Sequence, residues 1–251
     1  NASNGTTTLA ESSPEQIVYT PNADYNGTDT FSYTITQGEK TSSADVTVTI
    51  EAVNDTPSIN TASTIQVAEN QTAVSTISVS DVDEDDLTLS MSGTDANSFN
   101  LSDENVLTFK EAPDFETKSS YSITLSLSDG IETVTKDIAI SITNVNDIAP
   151  VFTSEATFSA AENQTAIGTV TATDAEDDSI TFTVSGSELA ITSAGVLTFA
   201  SAPDYETKSS YTATVTASDG TNSTTQDITV TVTNINDIAP LFLSLPSSIS
   251  V

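Results

Sequence analysis

The sequence has no cysteine, histidine or tryptophan, and its 251 residues include five lysines and no arginine. Without cysteine, disulfides cannot close the fold and no thiolate can bind metal. Without histidine, the usual general base and the commonest zinc ligand are missing. Aromatic residues make up 6% of the chain, which argues against a sugar-stacking platform. No apolar run approaches the ~18 residues of a membrane span, so membrane insertion is not expected.

Acidic residues are present in large excess. There are 36 aspartates and glutamates, and the formal net charge is -31. The phosphates of nucleic acid or of anionic membranes would be repelled by this charge, whereas cations would be attracted. A solvated acidic surface explains the composition equally well. The positions of the acids must therefore decide between a surface coat and cation sites.

The chain repeats itself with a period near 90 residues. Three motifs recur in the same order: AENQTA from Ala68 and Ala161, PDFETKSSY or PDYETKSSY from Pro113 and Pro203, and TNVNDIAP or TNINDIAP up to Pro150 and Pro240. The repetition predicts two full copies of one domain, residues 58–150 and 151–240. A diverged copy that lacks its opening strands covers 1–57, and 241–251 is the first strand of a following repeat. No signal sequence follows Asn1, which suggests an excised fragment.

Strand signals dominate each copy. Apolar residues alternate with polar ones at Ile138, Ile140 and Ile142, and period-two alternation is typical of half-buried strands. Asp-Gly pairs at 129–130 and 219–220 predict turns between two such runs. No helical period is sustained. We therefore predict an all-β protein built of tandem seven-stranded β-sandwiches, with a short, proline-stiffened linker at each repeat end.

The recurring acids lie near turns and repeat ends, as metal ligands would, and not along strand faces. Closely spaced carboxylates repel one another, and a hard divalent cation relieves this. Calcium, with six to eight oxygen ligands and tolerant geometry, fits better than magnesium or a transition metal. An EF-hand starting at Asp81 is rejected, because Asp86 and Ser92 occupy its required Gly and Glu positions. Seven acids hold equivalent places in the two full copies: Glu69, Asp81, Asp83, Asp114, Glu116, Asp129 and Asp147, then Glu162, Asp174, Glu176, Asp204, Glu206, Asp219 and Asp237.

The ordered set of acidic motifs resembles the cadherin repeat, as found in the tandem cadherin-like repeats of large secreted bacterial adhesins. The resemblance covers 58–240 well and 1–57 in part. It implies Greek-key, cadherin- or Ig-like β-sandwiches joined by short calcium-binding linkers. Asn144 and Asn234 stand where animal cadherins have the first Asp of the linker motif, and Asn26 replaces a Glu. The matching motifs are Ala-Glu-Asn at 68–70 and 161–163, acid-x-Glu at 114–116 and 204–206, Asn-Asp at 146–147 and 236–237, and Asp-x-acid at 81–83 and 174–176.

The resemblance also implies the ligand sets and the number of calcium ions. About three ions are expected at the 150/151 junction, about two near residue 57, and up to one at the C-terminal end. The set for the 150/151 junction is Glu69, Asp114, Glu116, Asn144, Asn146, Asp147, Asp174, Glu176 and Asp219. The set near residue 57 is Asp24, Asn26, Asn54, Asp55, Asp81, Asp83 and Asp129. The C-terminal set is Glu162, Asp204, Glu206, Asn236 and Asp237.

These features favour a calcium-rigidified extender, or stalk, of an extracellular bacterial adhesin at the cell surface, and not an enzyme. The alternative is a direct adhesive module that binds a partner protein, including a copy of itself, or a polysaccharide. The aromatic residues that such a module would expose are Tyr25, Tyr33, Phe99 and Phe152, although core positions are the favoured explanation for most of them. Head-to-tail strand exchange is a further hypothesis, in which 241–251 completes the first copy of another molecule.

Overall fold

A computed structural model of the chain describes residues 2–10 and 15–240. These residues form 22 β-strands and one short 3-10 turn at Ala96–Ser98, and no helix among them has the length and apolarity of a membrane span. The chain divides into two compact units, Asn1–Thr143 and Asn144–Val251. We call residues 2–57 the first repeat, 58–143 the second repeat and 144–240 the third repeat. Residues 241–251 lie outside the described part.

The first repeat consists of two antiparallel hairpins, which form two separate two-stranded sheets among the described residues. In the first hairpin, Gly5 lies opposite Pro21 and Ala10 opposite Gln16. In the second, Gly27 lies opposite Ile50. The strands are β1 (Gly5–Ala10), β2 (Gln16–Pro21), β3 (Gly27–Gln37) and β4 (Lys40–Ile50).

The second repeat is a β-sandwich of a four-stranded and a three-stranded sheet. The four-stranded sheet has the order β6-β13-β12-β9, the other has the order β10-β11-β7, and β5 pairs with β8 in a small ladder. The edge strand β6 runs parallel to β13, while the other pairs are antiparallel. The strands are β5 (Ser58–Ile59), β6 (Thr64–Ala68), β7 (Ala73–Thr76), β8 (Val79–Ser80), β9 (Thr88–Ser92), β10 (Phe99–Leu101), β11 (Val106–Phe109), β12 (Ser120–Ser128) and β13 (Thr133–Thr143).

The third repeat has the same topology. Its sheets have the orders β15-β22-β21-β18 and β16-β20-β19, and β14 pairs with β17. The two main sheets of each full repeat thus hold seven strands, which confirms the predicted tandem Greek-key sandwich. The strands are β14 (Val151–Phe152), β15 (Thr157–Ala161), β16 (Ala166–Thr169), β17 (Ala172–Thr173), β18 (Thr181–Val184), β19 (Leu189–Ile191), β20 (Val196–Phe199), β21 (Ser210–Ser218) and β22 (Ser223–Thr233).

Alternation along the long strands builds the cores. Ile138, Ile140 and Ile142 of β13 are 0%, 1% and 4% exposed, whereas the residues between them face outward or are half-buried. Because successive side chains of a strand point to opposite faces, only the apolar set enters the sandwich. Residues of both main sheets share one cluster in each full repeat. The alternating runs predicted as strands are therefore confirmed.

The Asp-Gly turns connect the two longest strands of each full repeat. Gly130 has φ of +92° and Gly220 has φ of +101°, a region that side-chain-bearing residues rarely adopt. Glycine there lets β12 turn directly into β13, and β21 into β22. The preceding aspartates, Asp129 and Asp219, are consequently held at one end of the sandwich.

Candidate metal centres

The acidic loop that follows β8 folds around the side chain of Asp81. Its Oδ1 accepts hydrogen bonds from the backbone N–H groups of Asp83 at 2.8 Å and of Asp85 at 3.5 Å. Glu84 has φ of +62°, a left-handed conformation that costs energy outside glycine. The turn brings one carboxylate oxygen each of Asp81, Asp83 and Asp85 within 4.8 Å of one another. The loop is flanked by strands, whereas an EF-hand loop is flanked by helices, so the EF-hand stays rejected.

The loop that follows β17 has the same construction in the third repeat. Asp174 Oδ1 accepts hydrogen bonds from the N–H groups of Glu176 at 3.0 Å and of Asp178 at 3.2 Å. Asp177 takes the left-handed conformation, with φ of +62°. One carboxylate oxygen each of Asp174, Glu176 and Asp178 again lies within 4.8 Å of the others. The same turn thus brings three carboxylates together in each of the two full repeats.

Asp129 is a buried, ionised carboxylate beside the first of these loops. Its Oδ1 accepts hydrogen bonds from the N–H groups of Ile131 at 2.7 Å and Glu132 at 2.6 Å. Its Oδ2 accepts a hydrogen bond from the Asn54 side chain at 3.0 Å. The bond from Asn54, followed by the one from Glu132, holds the pKa of Asp129 below its ordinary value. The charge is therefore kept although the residue is 8% exposed.

Asp219 holds the equivalent place in the third repeat. Its Oδ1 accepts hydrogen bonds from the N–H groups of Thr221 at 2.7 Å and Asn222 at 2.6 Å. Burial alone would raise the pKa of Asp219, but these bonds outweigh it and lower the pKa below its ordinary value. The other oxygen, Oδ2, is buried and has no hydrogen-bond partner. An ionised oxygen in that position requires a cation or an ordered water.

The linker before residue 57 contacts the loop of the second repeat. The N–H of Asp55 donates to Asp83 Oδ2 at 2.6 Å. Burial, and then repulsion from Asp83, Asp24 and Asp81, raises the pKa of the Asp55 carboxyl above its ordinary value. The repulsion indicates that acids from the first repeat, the linker and the second repeat converge. A cavity of about 250 Å³ there is lined by Asp24, Asn26, Asp55 and Asp83, among others.

The linker at residues 144–150 makes matching contacts within the second compact unit. The N–H groups of Asp147 and Ile148 donate to the Glu176 carboxylate at 3.1 Å and 3.0 Å. The Asn146 side chain donates to Asp178 Oδ2 at 2.7 Å. Asn144 is exposed. The acidic loop of the third repeat therefore holds both the linker backbone and the side-chain amide of Asn146.

A buried glutamate lies at the opposite end of each full repeat. Glu69 is 4% exposed and Glu162 is 1% exposed. Glu69 Oε2 accepts a hydrogen bond from the Phe115 N–H, and Glu162 Oε2 accepts one from the Tyr205 N–H, both at 2.8 Å. Each glutamate thereby anchors the backbone of an acid-x-Glu triplet. Glutamates are almost never this buried unless their charge is compensated.

The acid-x-Glu triplets add two more carboxylates beside each buried glutamate. Hydrogen bonds from Thr117 hold the pKa of Asp114 below its ordinary value, and Thr207 does the same for Asp204. One oxygen each of Glu162, Asp204 and Glu206 lies within 4.8 Å of the others, and one oxygen each of Glu69 and Glu116 is equally close. The triplets therefore supply ionised groups to the same place as the buried glutamates.

The segment 234–240, at the end of the third repeat, contacts Glu162 and the triplet 204–206. The Ile235 N–H donates to Glu162 Oε1 at 2.7 Å, and the Asn234 side chain donates to Glu206 Oε1 at 2.8 Å. The Asn163 side chain donates to Asp237 Oδ2 at 2.6 Å. Asp237 is thus held by the residue that follows Glu162, and both Asn236 and Asp237 are exposed.

A hard divalent cation fits these groups. Lys118 pairs with Asp95 and Lys208 pairs with Glu188, neither of which belongs to the proposed ligand sets. Carboxylate and amide oxygens without nitrogen or sulfur are the donor set that calcium prefers. Several buried oxygens in these loops have no hydrogen-bond partner: Asp81 Oδ2, Asp174 Oδ2, Asp219 Oδ2 and Asn54 Oδ1.

Sequence reasoning missed three residues of these centres. Asp85 and Asp178 lie 93 residues apart, the same shift that relates Asp81 to Asp174, so the repeat itself carried the signal. The Asn222 side chain donates to Asn146 Oδ1 at 2.7 Å, and nothing in the sequence pattern distinguishes it. Its backbone N–H also donates to Asp219 Oδ1, so Asn222 contacts two of the predicted ligands.

The aromatic residues considered as an exposed binding surface lie mostly against the cores. Phe99 is 2% exposed and packs on Phe109 at a ring distance of 4.4 Å, which agrees with the favoured core position and not with an exposed binding surface. Phe152 packs against the core of the third repeat. Tyr25 and Tyr33 are half-buried. An aromatic binding platform is therefore not formed by these residues.

Similar sequences are found among animal adhesion proteins and one bacterial family. Residues 1–50 match the model of the family described as a bacterial Ig domain. Human cadherin-23 is 31% identical over 183 residues, which cover 66% of this chain and 6% of that protein. The Drosophila melanogaster protocadherin-like wing polarity protein stan is 30% identical over 239 residues, 82% of this chain and 7% of that protein. The chain thus spans a small part of the length of these relatives.

Solved structures with the same fold are also cadherin domains. Human protocadherin-24 EC1-2 has a TM-score of 0.64 at 20% identity, covering 73% of this chain and 100% of that one. Mouse clustered PcdhgC3 EC1-3 has a TM-score of 0.66 at 19% identity, covering 88% of this chain and 83% of that one. At these identities the likeness establishes the fold alone.

Proposed function

We propose that this chain, which consists of cadherin-like β-sandwich domains, is a calcium-binding, calcium-rigidified extender of an extracellular bacterial adhesin. Its repeats would hold a binding region away from the cell surface, and it would not act as an enzyme. The observation that carries the proposal is the repeated clustering of carboxylates at repeat ends, with buried oxygens that no protein donor satisfies.

The proposed ligands near residue 57 come from three segments of the first compact unit. Asp24 and Asn26 follow β2, Asn54 and Asp55 form the linker, and the remaining acids belong to the second repeat. The contacts of Asp55 with Asp83 and of Asn54 with Asp129 support this assignment. About two ions would be bound there. The second-repeat ligands are Asp81, Asp83 and Asp129, to which the structure adds Asp85 as a candidate.

For the 150/151 linker, the proposal that ions are shared between repeats rests on the sequence order and the cadherin resemblance. About three ions would be bound at this linker, and up to one at the C-terminal end. The proposed donors at the end of the second repeat are Glu69, Asp114 and Glu116. The proposed donors at the start of the third repeat are Asn144, Asn146, Asp147, Asp174, Glu176 and Asp219. The C-terminal set remains Glu162, Asp204, Glu206, Asn236 and Asp237.

Rigidity would follow from the charges of the protein itself. Bound calcium would supply the positive charge that the carboxylate clusters lack, and the oxygens of the chain would coordinate it. Without it, acids such as Asp24, Asp55 and Asp83 repel one another, and this repulsion adds to burial in raising the pKa of Asp55. That repulsion opposes a fixed position of the linker against its neighbouring loops. With the charge compensated, the linker hydrogen bonds are favoured and one arrangement of neighbouring repeats is selected.

An extracellular location fits the expected affinity of such sites. Extracellular calcium modules bind with dissociation constants of roughly 10⁻⁴ to 10⁻³ M, which extracellular calcium saturates. Complete absence of cysteine suits a secreted protein that is stiffened by ions and not by disulfides. The match of residues 1–50 to a bacterial Ig domain supports the bacterial assignment.

Calcium titration of the full chain tests the proposal. At a calcium concentration about 100 times the dissociation constant, the linked stabilisation is about 2.7 kcal/mol, which raises the melting temperature by about 5–10 °C. We expect calorimetry to detect several ions per chain. A chelator should lower the melting temperature and broaden the size distribution in X-ray scattering. Unchanged melting and scattering in excess chelator would contradict the proposal.

A charge-matched control separates ligands from the general acidity of the chain. Asp55→Asn and Asp147→Asn should each lower the calcium stoichiometry and the calcium-dependent gain in melting temperature. Asp103→Asn removes the same charge from an exposed position in the β10–β11 turn and should change neither. Equal effects of all three substitutions would indicate a diffuse acidic surface.

A further inference from the structure

The turn that carries the acid-x-Glu triplet of the second repeat lies on the surface between β11 and β12. The residues that supply its carboxylates, Asp114 and Glu116, are both exposed. The buried Glu69 holds the start of the turn, because its side chain accepts the Phe115 N–H at 2.8 Å. The placement of the two carboxylates therefore depends also on what holds the end of the turn.

A lysine closes the end of this turn. The Lys118 N–H donates to the backbone carbonyl of Asp114 at 2.9 Å. The ammonium group of the same residue pairs with Asp95 and lies 4.4 Å from the ring centroid of Tyr121. Tyr121 packs edge-on against Phe109 of β11, with a centroid distance of 5.0 Å. Lys118 thus joins the turn to the core through both its backbone and its side chain.

The acid that pairs with Lys118 is itself fixed to β12. Asp95 Oδ2 accepts the Ser122 N–H at 2.8 Å, and the Asp95 N–H donates to the Ser122 carbonyl at 3.2 Å. The bond from Lys118, followed by the one from Ser122, holds the pKa of Asp95 below its ordinary value. The Asp95 side chain is 14% exposed, so this pair is less open to solvent than a typical surface ion pair. It ties Lys118 to a strand of the core.

The third repeat has the same arrangement with a different acid. The Lys208 N–H donates to the Asp204 carbonyl at 2.9 Å, and the Lys208 ammonium lies 4.5 Å from the ring centroid of Tyr211. The acid is Glu188, at 2.5 Å, which corresponds to Ser98 by the shift of 90 residues. Because the acid comes from another position, the features common to both repeats are the lysine, the ring and the turn.

We propose that Lys118 and Lys208 are positioning residues for the proposed calcium centres. Each would hold the turn that carries an acid-x-Glu triplet, so that its carboxylates are in place before an ion binds. Ordering a mobile turn on binding would cost conformational entropy, which a turn held in advance avoids. The inference rests on the proposed calcium binding and adds to it the residues that organise the donors.

The charge of a lysine near an anionic site would act in the opposite direction. A positive charge repels calcium, so its removal would by itself strengthen calcium binding. Loss of a positioning residue would instead weaken calcium binding. The change in calcium affinity on removal of Lys118 therefore distinguishes positioning from charge.

A calcium titration of full-length Lys118→Met, followed by NMR of the backbone amides, tests the proposal. The Phe115 amide reports on the altered turn, and the Tyr205 amide reports on the unaltered third repeat. The apparent dissociation constant at Phe115 should rise roughly tenfold, the lower end of the range for groups that hold metal ligands in place. The value at Tyr205 should not change. Unchanged or tighter binding at Phe115 would overturn the proposal.

Lys118→Arg should restore the affinity, because a guanidinium group can also pair with a carboxylate and stack on an aromatic ring. Lys110→Met is the charge-matched control. Lys110 is exposed and lines one cleft with Asp114, so its removal should leave calcium affinity unchanged or slightly higher. Equal weakening by Lys110→Met and Lys118→Met would overturn the proposal.

Asp95→Asn separates the two effects further, because it changes the net charge in the opposite direction to Lys118→Met. Positioning predicts that both substitutions weaken calcium binding at Phe115, and that the double variant binds no more weakly than either single variant. Opposite changes in the two single variants would show an effect of charge alone and would overturn the proposal.

The third repeat provides an independent variant if Lys118→Met lowers the melting temperature in chelator and so disturbs the fold. Lys208→Met should weaken calcium binding at Tyr205, with Phe115 as the reference. Calcium binding that is indifferent to both substitutions would overturn this inference and leave the proposed function standing. An unmodified chain whose Phe115 and Tyr205 amides do not respond to calcium would overturn both.

Discussion

The first and second repeats carry the same long hairpin but bury it to different degrees. In both, an 11-residue final strand pairs antiparallel with the strand before it. In the second repeat, ten buried apolar residues share one core. In the described first repeat, Phe31 is the one buried apolar side chain apart from Pro57 at its end. The comparison teaches that an alternating strand becomes a core strand only when other strands cover its apolar face.

In the first repeat, polar contacts join strands that an apolar core joins in the second repeat. Asp29 is 4% exposed and accepts hydrogen bonds from the N–H groups of Asn4 at 2.8 Å and Thr30 at 2.9 Å, and from the Tyr19 hydroxyl at 3.0 Å. It also accepts one from the Ser3 N–H at 3.1 Å. A single carboxylate thereby joins the segment before β1, β2 and β3. The first repeat depends on this network, whereas the second depends on its apolar core.

The largest expected difference between the repeats is in the cost of removing an apolar side chain. Ile123→Ala should destabilise the second repeat by about 2–5 kcal/mol, because Ile123 is 0% exposed and the change leaves a cavity. Ile35→Ala, at 62% exposure, should change the first repeat by at most about 0.5 kcal/mol in the monomer. Hydrogen exchange of the β12–β13 and β3–β4 amides measures each repeat separately. Similar costs at both positions would show that the first repeat has a core of its own.

A smaller, pH-dependent difference is expected from Asp29. Burial by itself would raise the pKa of Asp29, but the four hydrogen bonds outweigh it and hold the pKa below its ordinary value. Its contribution to stability is therefore complete above the unfolded pKa of about 3.9 and is lost as the pH falls through the lower folded pKa. Amide protection in β1 to β3 should decline in that acidic range.

Asp29→Asn isolates this effect. The variant should have lower protection in the first repeat already at neutral pH, and it should lack the part of the acid dependence that comes from Asp29. Asp45→Asn, at an exposed position of β4, serves as the control and should keep the pH profile of the unmodified chain. An unchanged profile in Asp29→Asn would contradict the role of this network.

The smallest effect is expected on the outward faces, where the two repeats are alike. Ser32 donates to Asp45 at 2.6 Å in the first repeat, and Thr124 donates to Asp137 at 2.7 Å in the second. Ser32→Ala and Thr124→Ala should each cost less than about 1 kcal/mol, because exposed cross-strand pairs contribute little. Urea unfolding followed by hydrogen exchange would measure both. A clearly larger cost in one repeat would show that the repeats differ on the outward face as well.

Much of the fold could be predicted because its signals are local. Period-two alternation at Ile138, Ile140 and Ile142 indicated a strand, and the Asp-Gly pairs indicated its turns. The repeated motifs indicated tandem domains. Acids at turns such as Asp81 and Asp129 could be assigned to a centre because both copies keep them in the same places. Their role as calcium ligands remains a proposal that the titration tests.

Other features could not be predicted from local signals. The hydrogen bond from Asn222 to Asn146 joins residues that are 76 positions apart, and Asp85 enters its cluster through a left-handed turn at Glu84. The packing partners of Phe99 show the same limitation, since Phe109 and Tyr121 come from other strands. Such contacts depend on distances between chain segments, which a periodic pattern does not contain.

The sequence by itself determined the strands, the repeats and the type of ligand, because alternation, motif spacing and the lack of nitrogen and sulfur donors are properties of the chain alone. Only the tertiary structure decided which carboxylates converge, which remain ionised and which oxygens have no partner. The physical reason is that a pKa and a hydrogen bond depend on the neighbours that folding brings together. For the same reason, only the structure distinguished β4, which pairs with β3 alone among the described residues, from β13, which lies between two strands.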